Sequence, residues 1–161
     1  AGRWVPFNGG LGKEQIAWAR ETIRAASAAD EKVLIFSHLL IHPHSTAKRS
    51  GKTLMWDYDE ILEIIEAEET RGCVKCVVSG HQHEGTKWQC EKTGVHYIGM
   101  ESPMLAMDVS PGPFAIVEVF DDEIVFKGYG RNEDSLLFPF DPEEPPTEPL
   151  LCSLRVNSHD P

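Results

Sequence analysis

Amphipathic and continuous apolar segments alternate along the chain. Over residues 12–29, apolar side chains recur at spacings of three and four, which predicts an amphipathic helix after a turn at Asn8-Gly9-Gly10. The apolar face of this helix consists of Ile16, Ala19, Ile23 and Ala26. Residues 32–36, KVLIF, form an uninterrupted apolar run, which is typical of a strand buried on both faces. That run ends in Ser37-His38.

The alternation resumes after a polar loop at residues 42–55. Asp57 stands at the N-cap position of a second predicted helix, whose apolar face carries Ile61, Ile64 and Ile65. A second apolar run then predicts another buried strand, CVKCVVS at 73–79, which ends in Gly80-His81-Gln82-His83.

Three later segments have strand-like patterns, and Asp121-Asp122 between the last two predicts a hairpin turn. The segments are 94–100, 114–120 and 123–130. Helices and strands in this order predict an α/β fold with a layered core and an antiparallel β meander added late. We expect one domain part over residues 1–138 and an acidic, proline-rich tail over 139–161 that is largely unstructured.

Composition narrows the classes of function. The 161 residues are 41% hydrophobic, and 15 basic against 26 acidic side chains give a net charge of −11. Because phosphate contacts are made mainly by Lys and Arg, we expect binding neither to nucleic acid nor to an anionic membrane surface. No segment approaches the roughly 18 consecutive apolar residues of a transmembrane helix.

The four cysteines are too few for a disulfide scaffold, which favours a reducing compartment and a cytoplasmic location. Cys73 and Cys76 stand three apart in a predicted strand, so they face opposite sides of the sheet and belong to the core rather than to one metal site. The chain does not begin with Met, and we expect its natural N-terminus to lie upstream, where a targeting signal stays an open alternative.

Both predicted buried strands end in histidine, at His38 and at His81, with His83 two residues later. Ligands in α/β sheets gather just beyond the carboxyl ends of strands, and imidazoles suit cations such as Zn, Mn, Fe or Ni. A single strand-end histidine is more often an ordinary surface residue. The two motifs together, separated by one helix, favour a metal site, in which His81 and His83 of an extended segment point to the same side and address adjacent ions.

Ser37-His38 and Gly80-His81-Gln82-His83 resemble the last two metal motifs of the calcineurin-like metallophosphoesterases. Flanking segments are also similar to the manganese-dependent ADP-ribose/CDP-alcohol diphosphatases, over roughly residues 4–138. These segments are FNGGLGKEQIAW (7–18), KVLIFSHLLIHP (32–43), CVVSGHQHEG (76–85) and FKGYGRNED (126–134).

The resemblance implies the C-terminal half of a layered metallophosphoesterase β-sandwich flanked by helices. It implies two divalent metal ions, with manganese first and iron, zinc or magnesium as alternatives; His38 and His81 would hold one ion and His83 the other. It further implies in-line attack of an activated hydroxide on the phosphorus of a nucleotide-sugar or nucleotide-alcohol diphosphate. The alternatives are a metallophosphoesterase for another phosphoester and a degenerate, non-catalytic binding module.

The family's first three motifs do not occur in this sequence, so no catalytic residue is assigned within it. Neutral imidazoles offset none of the charge of two dications, and Glu84, Glu101 and Asp57 are the carboxylate candidates. We therefore expect these 161 residues alone to bind metal weakly and to hydrolyse nothing. Leu40 also replaces the proline of the usual Ser-His-Leu-Pro, which removes a φ restraint from the loop that places His38.

Four further residues are substrate-binding candidates. His42 and His44, in a loop rich in Lys and Arg, either meet substrate phosphates or belong to a solvated loop. Trp56 either stacks on a nucleobase or packs at the start of the second helix as a hydrophobic staple. The resemblance brings Asn8 near the site, and Glu101 is a candidate partner for a metal-binding histidine.

Overall fold

The computed structural model describes residues 5–46, 51–105, 107–108, 112–129 and, as backbone, 136–139. Two helices and seven strands lie within these ranges, joined by short 3-10 turns. In chain order they are α1 (Gly12–Ala28), β1 (Val33–Ser37), α2 (Tyr58–Glu66), β2 (Val74–Ser79), β3 (Thr86–Gln89), β4 (His96–Gly99), β5 (Phe114–Val119), β6 (Glu123–Tyr129) and β7 (Leu136–Pro139).

The main sheet has the strand order β1-β2-β4-β3. β1, β2 and β4 run parallel, and β3 pairs with β4 in the antiparallel sense. The register sets Ser37 beside Ser79, and Ser79 beside Gly99, so three carboxyl ends meet at one edge of the sheet. This edge carries both predicted histidine motifs.

The second sheet contains β5, β6 and β7, all antiparallel. The Asp121-Asp122 turn is confirmed, because the Phe120 N–H donates to the Glu123 carbonyl at 2.9 Å and β5 pairs with β6. The prediction for residues 94–100 was wrong in one respect, since β4 joins the main sheet instead of the meander. Lys87 and Gln89 interrupt any apolar run in β3, which explains why the sequence pattern did not reveal this strand.

Two apolar clusters flank the main sheet. One packs α1 and α2 against the sheet, and the other packs the sheet against β6. The first includes Ile23, Ile61, Ile64, Ile65, Val77 and Tyr97, and the second consists of Cys76, Ile98, Ile124 and Phe126. Cys73 belongs to the first cluster and Cys76 to the second, which confirms that their side chains lie on opposite faces.

The chain before α1 differs from its prediction. The Asn8 N–H donates to the Val5 carbonyl at 3.1 Å, so the turn precedes the glycines, and neither Gly9 nor Gly10 has a positive φ. Gly10 is needed for space, because a Cβ there would lie 2.8 Å from the Asp57 carboxylate.

Asp57 occupies the N-cap position of α2, yet its carboxylate does not cap that helix. It instead accepts hydrogen bonds from the backbone N–H groups of Leu11 at 3.1 Å and Gly12 at 2.9 Å. The carboxylate thereby satisfies otherwise unpaired donors at the start of α1 and complements its helix dipole. Asp57 was predicted to cap α2, but its side chain caps α1 instead. Its contact with Gly12 spans 45 residues of sequence.

The predicted acidic tail, 139–161, lies outside the described residues apart from Pro139, which ends β7. Among the described residues, the helices are too short or too polar to traverse a lipid bilayer.

Candidate metal centre

His38 and His81 follow β1 and β2 at the shared edge of the main sheet. The pairing of these strands continues one residue beyond them, because the Gly80 N–H donates to the His38 carbonyl at 3.2 Å. Ser37 and Ser79, the last paired residues, also bring their hydroxyl oxygens to 3.3 Å. Parallel pairing therefore fixes the two histidines as neighbours.

The two rings turn nitrogen atoms toward each other. His38 Nε2 and His81 Nδ1 lie 3.2 Å apart, with ring centroids 5.0 Å apart and planes at 67°. Two imidazole nitrogens bound to one ion at about 2.0–2.1 Å would be separated by roughly 2.9–3.4 Å in octahedral or tetrahedral geometry. The side chains present thus fit a shared divalent ion.

The other ring nitrogen of His81 has a protein partner. Nε2 of His81 lies 2.8 Å from Oδ1 of Asn8, in the segment that precedes α1. Asn8 is buried, with 8% of its surface exposed, although it was predicted to contact substrate. Its contact with Nε2 makes it a hydrogen-bond partner of His81.

The backbone at His81 adopts an uncommon conformation. Its φ is 63°, in the left-handed region that residues other than glycine rarely enter. A hydrogen bond of 2.7 Å from the Gln82 N–H to the Gly80 carbonyl closes a three-residue turn around His81. Such turns with positive φ are strained and are found at functional sites, where surrounding contacts maintain them.

The electrostatic environment favours a neutral His81. Burial lowers its pKa from the usual value, and the neighbouring His38 and His83 lower it further. The neutral imidazole is the form that has a lone pair to donate to a cation.

His83 faces the same cleft but does not join the His38–His81 pair. It is exposed, and its carbonyl accepts the Ser102 N–H at 3.0 Å. Within the described ranges, no three or more His, Cys, Asp or Glu side chains group closely enough to hold one ion. The arrangement is thus two converging nitrogens and one separate imidazole.

The three histidines line a cleft of about 390 Å³. Glu101 is the acidic side chain in this lining, and residues 100–104 form one wall. The lining consists of His38, Gly80, His81, Gln82, His83, Met100, Glu101, Ser102, Pro103 and Met104. Sequence analysis named Glu101 as a candidate but did not name Met100 or Met104. Their position directly after a strand end could have indicated that they line the cleft.

Two carboxylate candidates lie elsewhere. Glu84 is exposed and does not line the cleft, and its carbonyl accepts a hydrogen bond from Gln82 Nε2 at 3.1 Å. Asp57 is engaged with the start of α1.

His42 and His44 are not brought to this cleft. The His42 ring stacks on Trp88, with centroids 4.1 Å apart and planes at 23°, and also packs on Tyr97 at 4.8 Å. His44 meets the edge of the same Trp88 at 5.0 Å. The alternative of a solvated loop was therefore wrong for His42. Burial lowers the pKa of its ring to about 4.

Trp56 is also absent from the cleft lining. It is half-buried before α2, and its backbone N–H donates to the Gly9 carbonyl at 2.8 Å. This bond helps hold the segment around Asn8 against residues 52–57.

Leu40, which replaces the expected proline, is 1% exposed. Its carbonyl accepts the Met55 N–H at 2.9 Å, and it forms a parallel bridge with Leu54. These contacts anchor the loop after His38 without the φ restraint of proline.

The sequence of the chain is similar to that of known diphosphatases. The chain is 36% identical over 135 residues to the manganese-dependent ADP-ribose/CDP-alcohol diphosphatase of Oryza sativa subsp. japonica, covering 83% of this chain and 39% of that protein. It is 34% identical over 135 residues to the Mus musculus diphosphatase of the same name, covering 84% and 37%. The predicted family resemblance is confirmed.

The fold of the chain is similar to part of the structure of a dimetal phosphatase from Danio rerio. The TM-score is 0.72 at 29% sequence identity, over 86% of this chain and 41% of that structure. The predicted layered α/β fold is thereby confirmed. The chain spans about two fifths of the length of the diphosphatases and of this structure. No protein-family model matches the chain.

Proposed function

We propose that this chain forms the histidine side of a two-metal site in a hydrolase that cleaves the diphosphate bond of ADP-ribose- or CDP-alcohol-type substrates. The observation that carries the proposal is the 3.2 Å approach of His38 Nε2 to His81 Nδ1 at the shared strand edge. The names of the similar proteins supply the substrate class and manganese as the metal.

In this proposal, His38 and His81 hold one ion, and His83 holds the other from the same cleft wall. When bound, the ions would lower the pKa of water and polarise phosphoryl oxygens. Glu101 contributes the negative charge that the neutral imidazoles lack. Because three imidazoles cannot balance two dications, carboxylates from outside these 161 residues complete the site.

The test compares the 161-residue chain with the longest protein encoded at the same locus. Each is freed of metal with a chelator, resupplied with Mn²⁺ or Mg²⁺, and assayed on ADP-ribose, CDP-choline and p-nitrophenyl phosphate. We expect Mn²⁺-dependent cleavage of the two diphosphates by the longer protein and no turnover by the shorter chain.

Matched variants show whether this site carries the activity. His83→Ala should abolish turnover in the longer protein, and Glu101→Gln should reduce Mn²⁺ affinity about 10-fold. His42→Ala, away from the cleft, should retain activity. Turnover without any divalent ion would contradict the proposal, and a preference for the phosphomonoester would favour the alternative phosphoester substrate.

A second candidate function is non-catalytic binding. It applies if the longer protein supplies no further ligands, because the residues described here contain no group of three ligands for one ion. If the longer protein hydrolyses none of the three substrates yet binds ADP-ribose, this second function replaces the first.

A further inference from the structure

We infer that Asn8 is a positioning residue for His81, which holds its ring so that Nδ1 presents a lone pair toward His38. This inference deepens the proposed function and rests on it for the identity of the ligand pair. It is carried by the hydrogen bonds on both ends of the Asn8 carboxamide.

The orientation of the Asn8 amide follows from its surroundings. Nδ2 donates to the carbonyl of Lys52 at 2.7 Å and to the carbonyl of Leu54 at 2.8 Å. If the amide were turned over, its oxygen would face two carbonyl oxygens at these distances, which repel. The amide nitrogen therefore points to residues 52–54, and the oxygen points to His81.

The oxygen in turn selects a form of the His81 ring. Asn8 Oδ1 has only lone pairs to offer, so His81 Nε2, at 2.8 Å, must carry the hydrogen. A neutral ring with hydrogen on Nε2 has its lone pair on Nδ1, the atom that lies 3.2 Å from His38 Nε2. Two backbone carbonyls thus determine which nitrogen of His81 is available to a cation.

The backbone of His81 makes such support necessary. At a φ of 63° the residue is in a region that costs energy and persists only where contacts over-determine it. Asn8 supplies one such contact from a segment 73 residues away in sequence. Partners of this kind, which orient a ligand without touching the ion, typically change metal affinity about 10–100-fold when removed.

Two variants separate the positioning of His81 from general support of the fold. Asn8→Leu removes both the acceptor for His81 and the donors to the Lys52 and Leu54 carbonyls, with a side chain of similar size. Asp57→Ala is the matched control, because it breaks the bonds to Leu11 and Gly12 between the same two segments without touching His81.

The first readout needs no metal. In ¹⁵N-labelled chain near pH 8, imidazole NMR should show His81 with a slowly exchanging hydrogen on Nε2 in the native protein and in Asp57→Ala. In Asn8→Leu that signal should be lost to exchange with water. Thermal unfolding of both variants shows separately how much stability each change removes.

The second readout is Zn²⁺ titration of the same samples, followed through the His38 and His81 imidazole signals. Asn8→Leu should weaken Zn²⁺ binding at least about 10-fold, with Asp57→Ala within about 3-fold of native. An unchanged Nε2 hydrogen signal in Asn8→Leu, or equal affinity losses in Asn8→Leu and Asp57→Ala, would overturn the inference. If neither the native chain nor the longer protein binds Zn²⁺ but the NMR result holds, Asn8 positions His81 and the proposed metal site fails.

Discussion

Two pairs of histidines in this chain have similar ring separations and very different chemistry. The centroids of His38 and His81 lie 5.0 Å apart, and those of His42 and His44 lie 5.4 Å apart. The interplanar angles, 67° and 74°, are also alike. In the first pair two ring nitrogens approach to 3.2 Å, whereas in the second His42 Nδ1 accepts the backbone N–H of His44 at 3.1 Å.

The difference lies in what holds each ring. His81 is anchored at one nitrogen by Asn8, which leaves the other nitrogen directed at His38. His42 is held through its face by Trp88, so its contribution is packing. Ring proximity therefore does not identify a metal site. The direction of the nitrogens, and the partner at the far nitrogen, distinguish ligand candidates from core histidines.

The largest expected effect is loss of metal affinity at the first pair. In the longer protein, His38→Ala and His81→Gly should each lower Zn²⁺ affinity at least about 100-fold, measured by titration calorimetry, because each removes one of two converging nitrogens. Glycine is chosen at position 81 because it tolerates the positive φ of 63°. His42→Ala is the control and should leave the affinity within about 2-fold of native. An equal loss in that control would contradict the distinction between the pairs.

The second prediction concerns folding stability, for which the substitution at His42 should have the larger effect and the substitution at His38 the smaller one. His42→Ala removes a ring stacked on Trp88 and packed on Tyr97, and should lower the free energy of unfolding by about 2 kcal/mol. His38→Ala, at an exposed position, should change it by less than about 0.5 kcal/mol. Urea unfolding monitored by tryptophan fluorescence provides the measurement. Greater destabilisation by His38→Ala than by His42→Ala would be evidence against this assignment.

The third prediction uses acid. Burial holds the pKa of His42 near 4 in the folded chain, against 6.5 for an exposed histidine. The unfolded chain therefore binds more protons between these values, and folding stability falls as the pH is lowered from about 6.5 to 4. His42→Gln should flatten this fall by no more than about 1 kcal/mol, allowing for the partial exposure of the ring.

The acid measurement compares unfolding curves of the native chain and the variant at several pH values. His96 has a lowered pKa of about 4 by burial as well, so a residual slope should persist in His42→Gln. Identical slopes in both proteins would contradict a neutral, packed His42.

The smallest effects are expected at two glycines near the first pair. A methyl group at Gly80 would meet His38 Nδ1 at 3.5 Å, an ordinary contact, so Gly80→Ala should change Zn²⁺ affinity by less than about 3-fold. A larger affinity loss for Gly80→Ala than for His38→Ala would show that the loop backbone limits binding.

A methyl group at Gly10 would meet the Asp57 carboxylate at 2.8 Å and displace it from the start of α1. Gly10→Ala should therefore cost about 1 kcal/mol of stability, measured by thermal unfolding.

Much of the main sheet could be predicted because its strands are continuous apolar runs. β1, β2 and the helix with Ile23 on its inner face were located within one residue, and the helix with Ile64 begins directly after Asp57, as predicted. β3 could not be predicted in this way, because Thr86–Gln89 has no apolar run and is half-exposed. Its strand conformation depends on its pairing with β4. β7 begins at Leu136 and depends in the same way on its pairing with β6.

The residues of the candidate site were likewise predictable only where local sequence features mark them. His38, His81 and His83 were predicted from motif and strand position, which are local features of the sequence. The contact between Asn8 and His81 spans 73 residues, and the Asp57 cap on Gly12 spans 45, so neither follows from local pattern. His42 was not predicted to pack because its partner, Trp88, belongs to the strand that the pattern did not reveal.

The parallel register of β1 and β2 restricts where residues can be inserted into the chain or deleted from it. Ser37 pairs with Ser79; His38 follows Ser37 directly, and His81 follows Ser79 after Gly80. A one-residue insertion or deletion inside either strand would therefore send one imidazole to the opposite face. Length changes at residues 67–72, between α2 and β2, leave that pairing intact. Changes at residues 52–54 do not share this freedom, because two of their carbonyls hold Asn8. Tolerance to insertions and deletions should therefore map the candidate metal centre as sharply as substitutions do.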